Sequence, residues 1–277
     1  MYVYKSLKEI PYSEIAKCFQ AAFSDYAISM QLNDAQLQQR LEMSGIQKDL
    51  SFGAFADGEM VGFIFNACSV YNGEHVAFDI GTGIVPEHRG NKVFAALYAF
   101  NERELQKRGI NKYCLEVLQQ NEKAIAIYKK QGFQAARAFS VLKSTKSAPK
   151  ADVLPVRCLP FAEFCPESVQ SCIGPLPSFE HSTEILRLNP ELYEVAVPEG
   201  QNPPSAFCIF DKRGGHIVQL GCTDMSALKS IVTQLLSRFE TITAKNIDLR
   251  STEVLELLQA LGFTELVKQF EMVKTIA

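Results

Sequence analysis

The order of strands and helices that the sequence predicts between residues 63 and 143 recurs between residues 206 and 275. Hydrophobic periodicity indicates strand, strand, helix, strand, helix and strand in each stretch. Both second helices end at a Gly-Phe pair, Gly132-Phe133 in the first stretch and Gly262-Phe263 in the second. A repeat of this length indicates two copies of one fold. We therefore predict an α+β chain with a mixed α/β sheet, in which one fold occurs twice in tandem.

The first 70 residues predict two helices and an antiparallel hairpin. The predicted elements are a strand at Tyr2–Leu7, a helix from Tyr12, a helix at Asp34–Met43, and strands at residues 50–56 and 60–70. Asp34 is the expected N-cap of the second helix, because aspartate side chains accept hydrogen bonds from free helix amides. Asp57-Gly58 joins the two strands and favours a two-residue turn.

The strand at residues 76–85 divides into two faces if its side chains alternate without interruption. One face then carries Val76, Phe78, Ile80 and Ile84, and the other carries Ala77, Asp79, Gly81, Gly83 and Val85. Two glycines on one face let another group approach the backbone closely, or mark a bulge. Asp79 is therefore predicted to lie on a glycine-bearing face.

Composition and charge narrow the class of protein. With 47% hydrophobic and 21% charged residues the chain is typical of globular proteins, and no apolar run approaches the roughly 20 residues of a membrane span. The net charge of -3 gives no sign of nucleic-acid binding. The first residues lack the pattern of a secretory signal, so we predict a cytoplasmic protein with neither membrane nor nucleic-acid partners.

The chain contains eight cysteines. None of them forms a Cys-x-x-Cys pair, and five lie in apolar runs, at Cys18, Cys68, Cys114, Cys208 and Cys222. Buried thiols that pack as small hydrophobic side chains are the simpler interpretation. We therefore predict no metal site.

A polar, proline-containing segment at residues 144–152 separates the two predicted copies. Such a composition is typical of linkers between domains. We predict a first domain at residues 1–146, a linker at residues 147–157 and a second domain at residues 158–277.

The turn before the helix that begins at Val93 is a candidate anion site. It follows a strand that ends at Ile84-Val85. Free backbone N–H groups at a helix N-terminus attract anions such as a pyrophosphate, and Arg89 and Lys92 add positive charge. On these residues alone, an ordinary surface turn remains the alternative.

Residues 84–133 resemble the acetyl-CoA-binding half of the GNAT acyltransferases. The phosphate-binding turn of that family begins with arginine or glutamine and contains small residues, and this chain matches it at Arg89 and departs from it at Lys92 and Phe94. The family's later block, Asn-x-x-Ala-x-x-x-Tyr followed by Gly-Phe, is complete here and comes after the strand Leu115-Glu116-Val117. Its residues are Asn121, Ala124, Tyr128, Gly132 and Phe133.

The resemblance implies the acyl-CoA N-acyltransferase fold and acetyl-CoA as the acyl donor. It also implies which residues contact that donor: Ile84, Val85, Arg89, Gly90, Asn91, Lys92, Val93, Asn121, Ala124 and Tyr128. From the residues themselves, Asn121 is equally well explained as a helix N-cap and Tyr128 as a core aromatic residue.

By resemblance, Tyr128 would protonate the departing CoA thiolate. An amine acceptor must lose a proton before it attacks the thioester, which requires a base. Glu116 lies twelve residues before Tyr128, a spacing similar to that in the ribosomal-protein N-terminal acetyltransferases, where this glutamate is the assigned base. Asp79 is the rival, and we favour Glu116.

The second copy lacks these chemical groups. Alignment of the two Gly-Phe pairs places Leu258 where Tyr128 stands and Ser251 where Asn121 stands, and residues 221–224 contain no Arg-Gly step. We therefore expect the second copy to fold without binding CoA, and to wall the acceptor site or form a homodimer.

The sequence thus predicts an acetyltransferase that uses acetyl-CoA and an unidentified amine, either a small molecule or a protein N-terminus or lysine. The alternative is a catalytically silent CoA-binding or scaffolding protein that retains the fold. The complete block at residues 121–133 favours the enzyme, whereas Lys92 and Phe94 favour the alternative.

Overall fold

The computed structural model describes residues 1–25, 32–145, 154–172 and 174–276. The chain forms two compact units whose segments alternate along the sequence. The first unit comprises Met1–Glu116, Ile127–Gln134 and Met272–Ala277, and the second comprises Val117–Ala126 and Ala135–Glu271. Most of the predicted linker lies outside the described residues, and its described end leads into a strand that begins at Val156. The division at residues 146 and 158 stays a prediction about the two sequence copies.

The first copy contains six strands and four helices among the described residues. They are β1 (Tyr2–Ser6), α1 (Tyr12–Ala22), α2 (Asp34–Met43), β2 (Phe52–Ala56), β3 (Glu59–Tyr71), β4 (Glu74–Ile84), α3 (Val93–Gln106), β5 (Lys112–Leu118), α4 (Glu122–Lys130) and β6 (Gln134–Ser144). The second copy is built similarly. Its elements are β7 (Val156–Pro160), α5 (Thr183–Leu186), β8 (Tyr193–Pro198), β9 (Ala206–Asp211), β10 (Ile217–Cys222), α6 (Met225–Arg238), β11 (Ile242–Asp248), α7 (Thr252–Ala260) and β12 (Thr264–Thr275).

The strand pairing of the first unit recurs in the second. Strands β1 to β4 pair antiparallel in sequence order, and β5 is parallel to β4. Strands β7 to β10 also pair antiparallel in order, and β11 is parallel to β10. The mixed sheet and the α+β class are therefore as the sequence predicted. None of the helices in the described part of the chain is both long and apolar enough to cross a membrane.

The closing strands do not stay within their own copies. Strand β6, the last of the first copy, pairs antiparallel with β11 and lies in the second unit from Ala135 onward. The end of β12 lies in the first unit, where the amide of Ile276 donates to the carbonyl of Asn111 at 2.8 Å. Each unit is therefore completed by residues from the far end of the other copy.

Local sequence signals predicted the hairpin turn correctly and the N-cap of α2 to within one residue. Asp57 and Gly58 have φ values of 51° and 88°, the positive angles that a two-residue hairpin turn needs. The N-cap of α2 is Asn33 rather than Asp34, because the Asn33 side chain accepts from the Gln36 amide at 2.9 Å and completes a capping box. Strands β7 and β8 were not predicted, because the proline-rich stretch around them obscures their periodicity.

Hydrophobic side chains from α1 and from the sheet form one layer of the first unit. Ile15 and Phe19 of α1 pack in the same cluster as Phe63 and Phe65 of β3. The rings of Phe63 and Phe65 stack at 4.3 Å between centroids. This layer makes the sheet a rigid support for the residues on its other face.

Helix α3 is fixed to that other face by a buried polar network. Asn66 of β3 accepts from the Tyr113 hydroxyl at 2.7 Å and donates to the side chain of Asn101 at 2.6 Å. All three side chains are buried. A fully buried hydrogen bond specifies position strongly because its loss leaves desolvated groups behind.

A bulge at Ile80 places the residues of β4 that follow it on the faces opposite to those predicted. Asp79 pairs with Asn66 and Gly81 pairs with Phe65, so Ile80 is an extra residue on the β4 side. The prediction that Asp79 lies on the glycine-bearing face is wrong, because uninterrupted alternation does not hold across an inserted residue. Beyond the bulge, Asp79 shares its face with Thr82.

Candidate active site

Strands β4 and β5 are paired over only part of their length. Their register runs from Val76 opposite Lys112 to Asp79 opposite Leu115, although β4 continues to Ile84. No described residue of β5 pairs with the last five residues of β4. The polar groups at this end of β4 therefore lie where a ligand can approach the strand.

Asp79, Thr82 and Tyr128 form a hydrogen-bonded group at this point. The Tyr128 hydroxyl donates to Oδ2 of Asp79 at 3.2 Å, and the Thr82 hydroxyl donates to the same oxygen at 2.7 Å. Asp79 is only 7% exposed, whereas Tyr128 is half-buried. Thr82 is half-buried as well, so both hydroxyl groups are more accessible than the carboxylate that they contact.

Burial dominates the electrostatics of this carboxylate. Desolvation raises the pKa of Asp79 to about 6, and the hydrogen bonds from Thr82, Tyr128 and the Gly81 amide oppose that rise. A carboxyl group that titrates in this range can both accept and release a proton near neutral pH.

Aromatic rings surround the Tyr128 side chain. Phe94 and Phe133 meet its ring edge-to-face, with centroids 6.3 and 5.6 Å away. Phe94 also stacks on Tyr98, at 5.8 Å. The Phe94 ring thus packs along α3 toward Tyr128. The resemblance to the family had suggested only that this ring adds bulk to the phosphate-binding turn.

Glu116 does not share the face of Asp79. Leu115 stands opposite Asp79 in the parallel register, and the next residue of a strand points to the opposite face. The structure therefore brings Tyr128 together with Asp79, one of the two candidate bases, and turns Glu116 away from the pair. The assignment of either carboxylate as the base stays a prediction.

The turn before α3 has the form of an anion cradle. Gly90 and Lys92 have φ values of 79° and 59°, and α3 begins at Val93 without a side-chain cap from Lys92. Asn91 and Lys92 are exposed, whereas Val93 is buried and presents only its backbone. Uncapped amides at the start of a helix, next to a lysine, suit a pyrophosphate such as that of CoA.

Arg89 is engaged within the fold. Its guanidinium binds both carboxylate oxygens of Asp25, at 2.6 and 3.0 Å, and donates to the carbonyl of Ala22 at 2.7 Å. Its Nε donates to the carbonyl of Ile84 at 2.9 Å. In this conformation Arg89 joins the end of α1 to the end of β4, and its predicted role as a phosphate ligand stays a prediction.

Two other residues that were predicted to contact the donor, Val85 and Asn121, also form hydrogen bonds within the fold. The amide of Val85 donates to the carbonyl of Val61 at 2.9 Å, and the carbonyl of Val85 accepts from His88 at 2.9 Å. The side chain of Asn121 accepts from the amide of Ala124 at 3.2 Å, as an N-cap of α4 does. The capping alternative for Asn121 is thus realised in this structure.

In the second unit, a buried leucine stands at the position that aligns with Tyr128. Leu258 is 1% exposed and packs in the hydrophobic core of that unit. The carbonyl oxygen of Cys172 lies 2.0 Å from where a Cβ on Gly221 would stand, so glycine is required there. A cavity of about 450 Å³ remains beside it, lined by residues 174–177, the end of β10 and the start of α7.

Arg137 of β6 stabilises this arrangement within the second unit. Its guanidinium donates to both carboxylate oxygens of Glu271, at 2.7 and 2.8 Å, and to the carbonyl of Pro177 at 3.0 Å. Asp248 lies 3.5 Å from the same guanidinium and also binds Arg250 at 2.6 Å. The arginine therefore uses its buried charge to hold the segment that contains Pro177 in place.

Sequence reasoning missed Thr82 and Arg137. Uninterrupted alternation places Thr82 on the face opposite Asp79, and only the bulge brings the two side chains together. Arg137 carried no motif, and its partners come from remote parts of the chain. Among the described residues, no three His, Cys, Asp or Glu side chains are grouped as a metal site requires.

Comparisons with known proteins bear on the family and the fold. Residues 12–133 match the acetyltransferase (GNAT) family model. A comparison with curated protein sequences found no match. A GCN5-related N-acetyltransferase from Sphaerobacter thermophilus superposes with a TM-score of 0.71 and 15% identity, over 99% of this chain and 96% of that chain.

Two further solved structures share the fold. A putative acetyltransferase from Pyrococcus horikoshii has a TM-score of 0.70 at 15% identity, over 99% of this chain and 89% of that chain. A tandem GNAT protein from the clavulanic acid biosynthesis pathway has a TM-score of 0.69 at 10% identity, over 100% of this chain and 99% of that chain. The chain therefore has the fold of the GNAT acetyltransferases, and its residues 12–133 match the model of that family.

Proposed function

We propose that the first unit transfers an acetyl group from acetyl-CoA to an amine. The observation that carries the proposal is the hydrogen bond from the half-buried Tyr128 phenol to the buried Asp79 carboxylate, at the point where the pairing of β4 with β5 ends. A phenol can donate a proton to a leaving thiolate, and a carboxylate that titrates near neutral pH can accept one.

The acyl donor would be held by the start of α3. The amides that begin at Val93, together with Lys92, fit the pyrophosphate of CoA. Acetyl-CoA supplies an activated acetyl thioester. The assignment of Asn121 and Ala124 as donor contacts stays a prediction from the sequence. The acceptor is an amine of a small molecule, a protein N-terminus or a lysine.

We further propose that the second copy, residues 158–277, has no acetyl-CoA site of its own. Leu258 replaces the tyrosine, the carbonyl of Cys172 packs against Gly221, and residues 174–177 lie beside the end of β10. Arg137 holds this segment through the carbonyl of Pro177. The full-length chain should then bind one acetyl-CoA, which isothermal titration calorimetry measures directly. Two equivalent sites would contradict this proposal.

One observation favours the catalytically silent alternative. Arg89 is bonded to Asp25 and to two backbone carbonyls, so its guanidinium is already in use. A silent protein would still bind CoA through the α3 amides, but would release no thiol in the presence of amines.

The two functions are separated by two measurements on the full-length protein. Thermal unfolding with acetyl-CoA, CoA and a nucleotide control tests binding, since a ligand at 100 times its Kd stabilises by about 2.7 kcal/mol. Release of CoA thiol with a panel of primary amines then tests transfer. Binding without thiol release from any amine would favour the silent alternative, and failure to bind either CoA compound would contradict both functions.

A further inference from the structure

We propose that Tyr128, Asp79 and Thr82 act as one proton relay, in which Asp79 stores the proton that Tyr128 takes from the acceptor amine and later returns to the departing thiolate. The inference rests on the proposed acetyl transfer and goes beyond it in one respect. A single group would serve as base and then as acid, with Thr82 as its positioning residue.

The direction of the hydrogen bonds carries this inference. The Tyr128 hydroxyl donates to Oδ2 of Asp79, and a phenol that passes its own proton to a carboxylate can take up a proton from another group as it does so. Asp79 is 7% exposed and Tyr128 is half-buried. The Thr82 hydroxyl is half-buried too and contacts the same oxygen, but a phenol, with a pKa near 10, exchanges its proton far more readily than an alcohol, so the phenol is the route between Asp79 and an acceptor.

Thr82 holds the carboxylate in place for this exchange. Its hydroxyl reaches Oδ2 at 2.7 Å because the bulge at Ile80 brings residues 79 and 82 onto one face. A donor to an ionised carboxylate stabilises the charged form, so Thr82 keeps Asp79 ready to accept a proton. This contact lies within β4 itself and does not depend on a bound substrate.

The groups that face Asp79 from the neighbouring elements are phenols. Tyr98 of α3, Tyr113 of β5 and Tyr128 of α4 each interact electrostatically with it or with one another. Burial raises the pKa of both Tyr98 and Tyr113, so these two stay protonated. None of the ion pairs among the described residues includes Asp79. The only strong proton acceptor in this group is therefore the carboxylate.

The proton balance closes without a further reactant. An ammonium acceptor gives one proton to Tyr128 as Tyr128 passes its own to Asp79. The amine nitrogen then forms a bond to the acetyl carbon, the carbon–sulfur bond breaks, and the second nitrogen proton leaves to solvent. Asp79 returns its proton through Tyr128 to the thiolate, which regenerates the ionised carboxylate. No group is oxidised or reduced.

Thr82→Val and Thr82→Ser provide a matched test, because the first removes the hydroxyl at nearly constant volume and the second keeps it. Thr82→Val should move the acidic limb of the kcat/KM profile upward by about one pH unit, since a hydrogen bond to a charged group is worth roughly tenfold in proton affinity. Thr82→Ser should leave the limb near its wild-type position. Asp79→Asn should remove it.

A second measurement does not require an active acceptor. Titration of the Asp79 carboxyl by ¹³C NMR in the free protein should show the same upward shift in Thr82→Val and no comparable shift in Thr82→Ser. If the NMR titration moves and the acidic limb does not, or if Glu116→Gln removes the limb, the relay is wrong. A wild-type protein that binds acetyl-CoA and acetylates no amine would instead overturn the proposed function itself.

Discussion

Asp79 in the first unit and Asp248 in the second are both buried carboxylates on central strands, and they have opposite electrostatic environments. Asp79 accepts hydrogen bonds from hydroxyl groups, and burial raises its pKa to about 6. Burial also acts to raise the pKa of Asp248, but hydrogen bonds from Arg250 and the charge of Arg137 outweigh it and lower that pKa.

Two units with the same strand topology thus give a buried carboxylate two different roles. A buried carboxylate among hydroxyl groups gains and loses a proton near neutral pH, which is useful in chemistry. A buried carboxylate beside guanidinium groups stays ionised and holds structure in place.

The largest effect should follow from removing the Tyr128 hydroxyl. Tyr128→Phe keeps the ring packed against Phe94 and Phe133 but removes the proposed acid, so turnover should fall by about 10²- to 10⁴-fold. Affinity for acetyl-CoA, measured by calorimetry, should stay nearly unchanged. Tyr4→Phe on β1 is the matched control. Full activity of Tyr128→Phe with any amine that the wild type acetylates would exclude Tyr128 as the acid.

The next largest effect should fall on the stability of the second unit. Arg137→Met removes the partner of Glu271 and leaves a buried charge uncompensated, at a cost of about 3–5 kcal/mol. Arg238→Met is the control, because the Arg238–Glu194 pair is partly exposed and should cost no more than about 1 kcal/mol. Urea unfolding measures both. Equal effects of the two substitutions would show that the Arg137 cluster is not a structural anchor.

A third prediction concerns the pH dependence of stability in the first unit. Because the pKa of Asp79 is about 6 in the folded protein and 3.8 ordinarily, the folded state holds this proton more tightly than the unfolded state. Asp79 therefore lowers stability progressively as pH rises from about 4 to about 6, by roughly 3 kcal/mol in all. The Asp79→Asn variant should gain that amount relative to wild type over this window.

Urea unfolding at several pH values checks this third prediction. Only the difference between variant and wild type is informative, since other groups titrate in both proteins. The exposed Asp57→Asn variant is the matched control for loss of a carboxylate. A constant difference between Asp79→Asn and wild type from pH 4 to pH 7 would mean that the carboxyl is not perturbed.

The smallest effect should come from Arg89. On sequence grounds Arg89 is an exposed turn charge whose replacement hardly changes stability. Its bonds to Asp25, Ala22 and Ile84 change that expectation, and Arg89→Gln should cost about 1–2 kcal/mol. Lys92→Gln is the comparison, because it removes a cation from the same turn without those bonds.

Acetyl-CoA titrations of the two turn variants test which of the two cations binds the donor. If the α3 amides and Lys92 bind the pyrophosphate, Lys92→Gln should weaken binding several-fold, and more so at low salt. Loss of affinity in Arg89→Gln that exceeds the loss in Lys92→Gln would show that Arg89 leaves Asp25 to bind the donor.

Much of the fold could be read from local patterns. Helices α3 and α4 were predicted to within a residue, because amphipathic spacing and the glycines that follow them are local signals. The hairpin at Asp57-Gly58 followed from its turn chemistry, since few pairs accept two positive φ angles. The Asn121–Tyr128 block likewise identified the helix that carries the proposed acid.

Other features depended on groups that are distant in sequence. The bulge at Ile80 reflects the register of β3 against β4, and it decides that Asp79 faces Thr82 and Tyr128. Two of the three partners of Arg89, Ala22 and Asp25, lie more than 60 residues away, at the end of α1 and just after it. No local pattern reports such pairings, because hydrogen-bond register is set by the whole strand and its neighbours.

The amino-acid sequence alone was enough to predict a tandem of one fold and the helix that carries Tyr128, and alignment of the two Gly-Phe pairs predicts a leucine, Leu258, in place of that tyrosine in the second copy. Only the tertiary structure decided which carboxylate meets Tyr128, how Arg89 is used, and that β6 pairs with β11 in the second unit. The physical reason is that periodicity tells which face of an element is buried, but not which of two similar strand edges it joins. That choice depends on the packing of the complete chain.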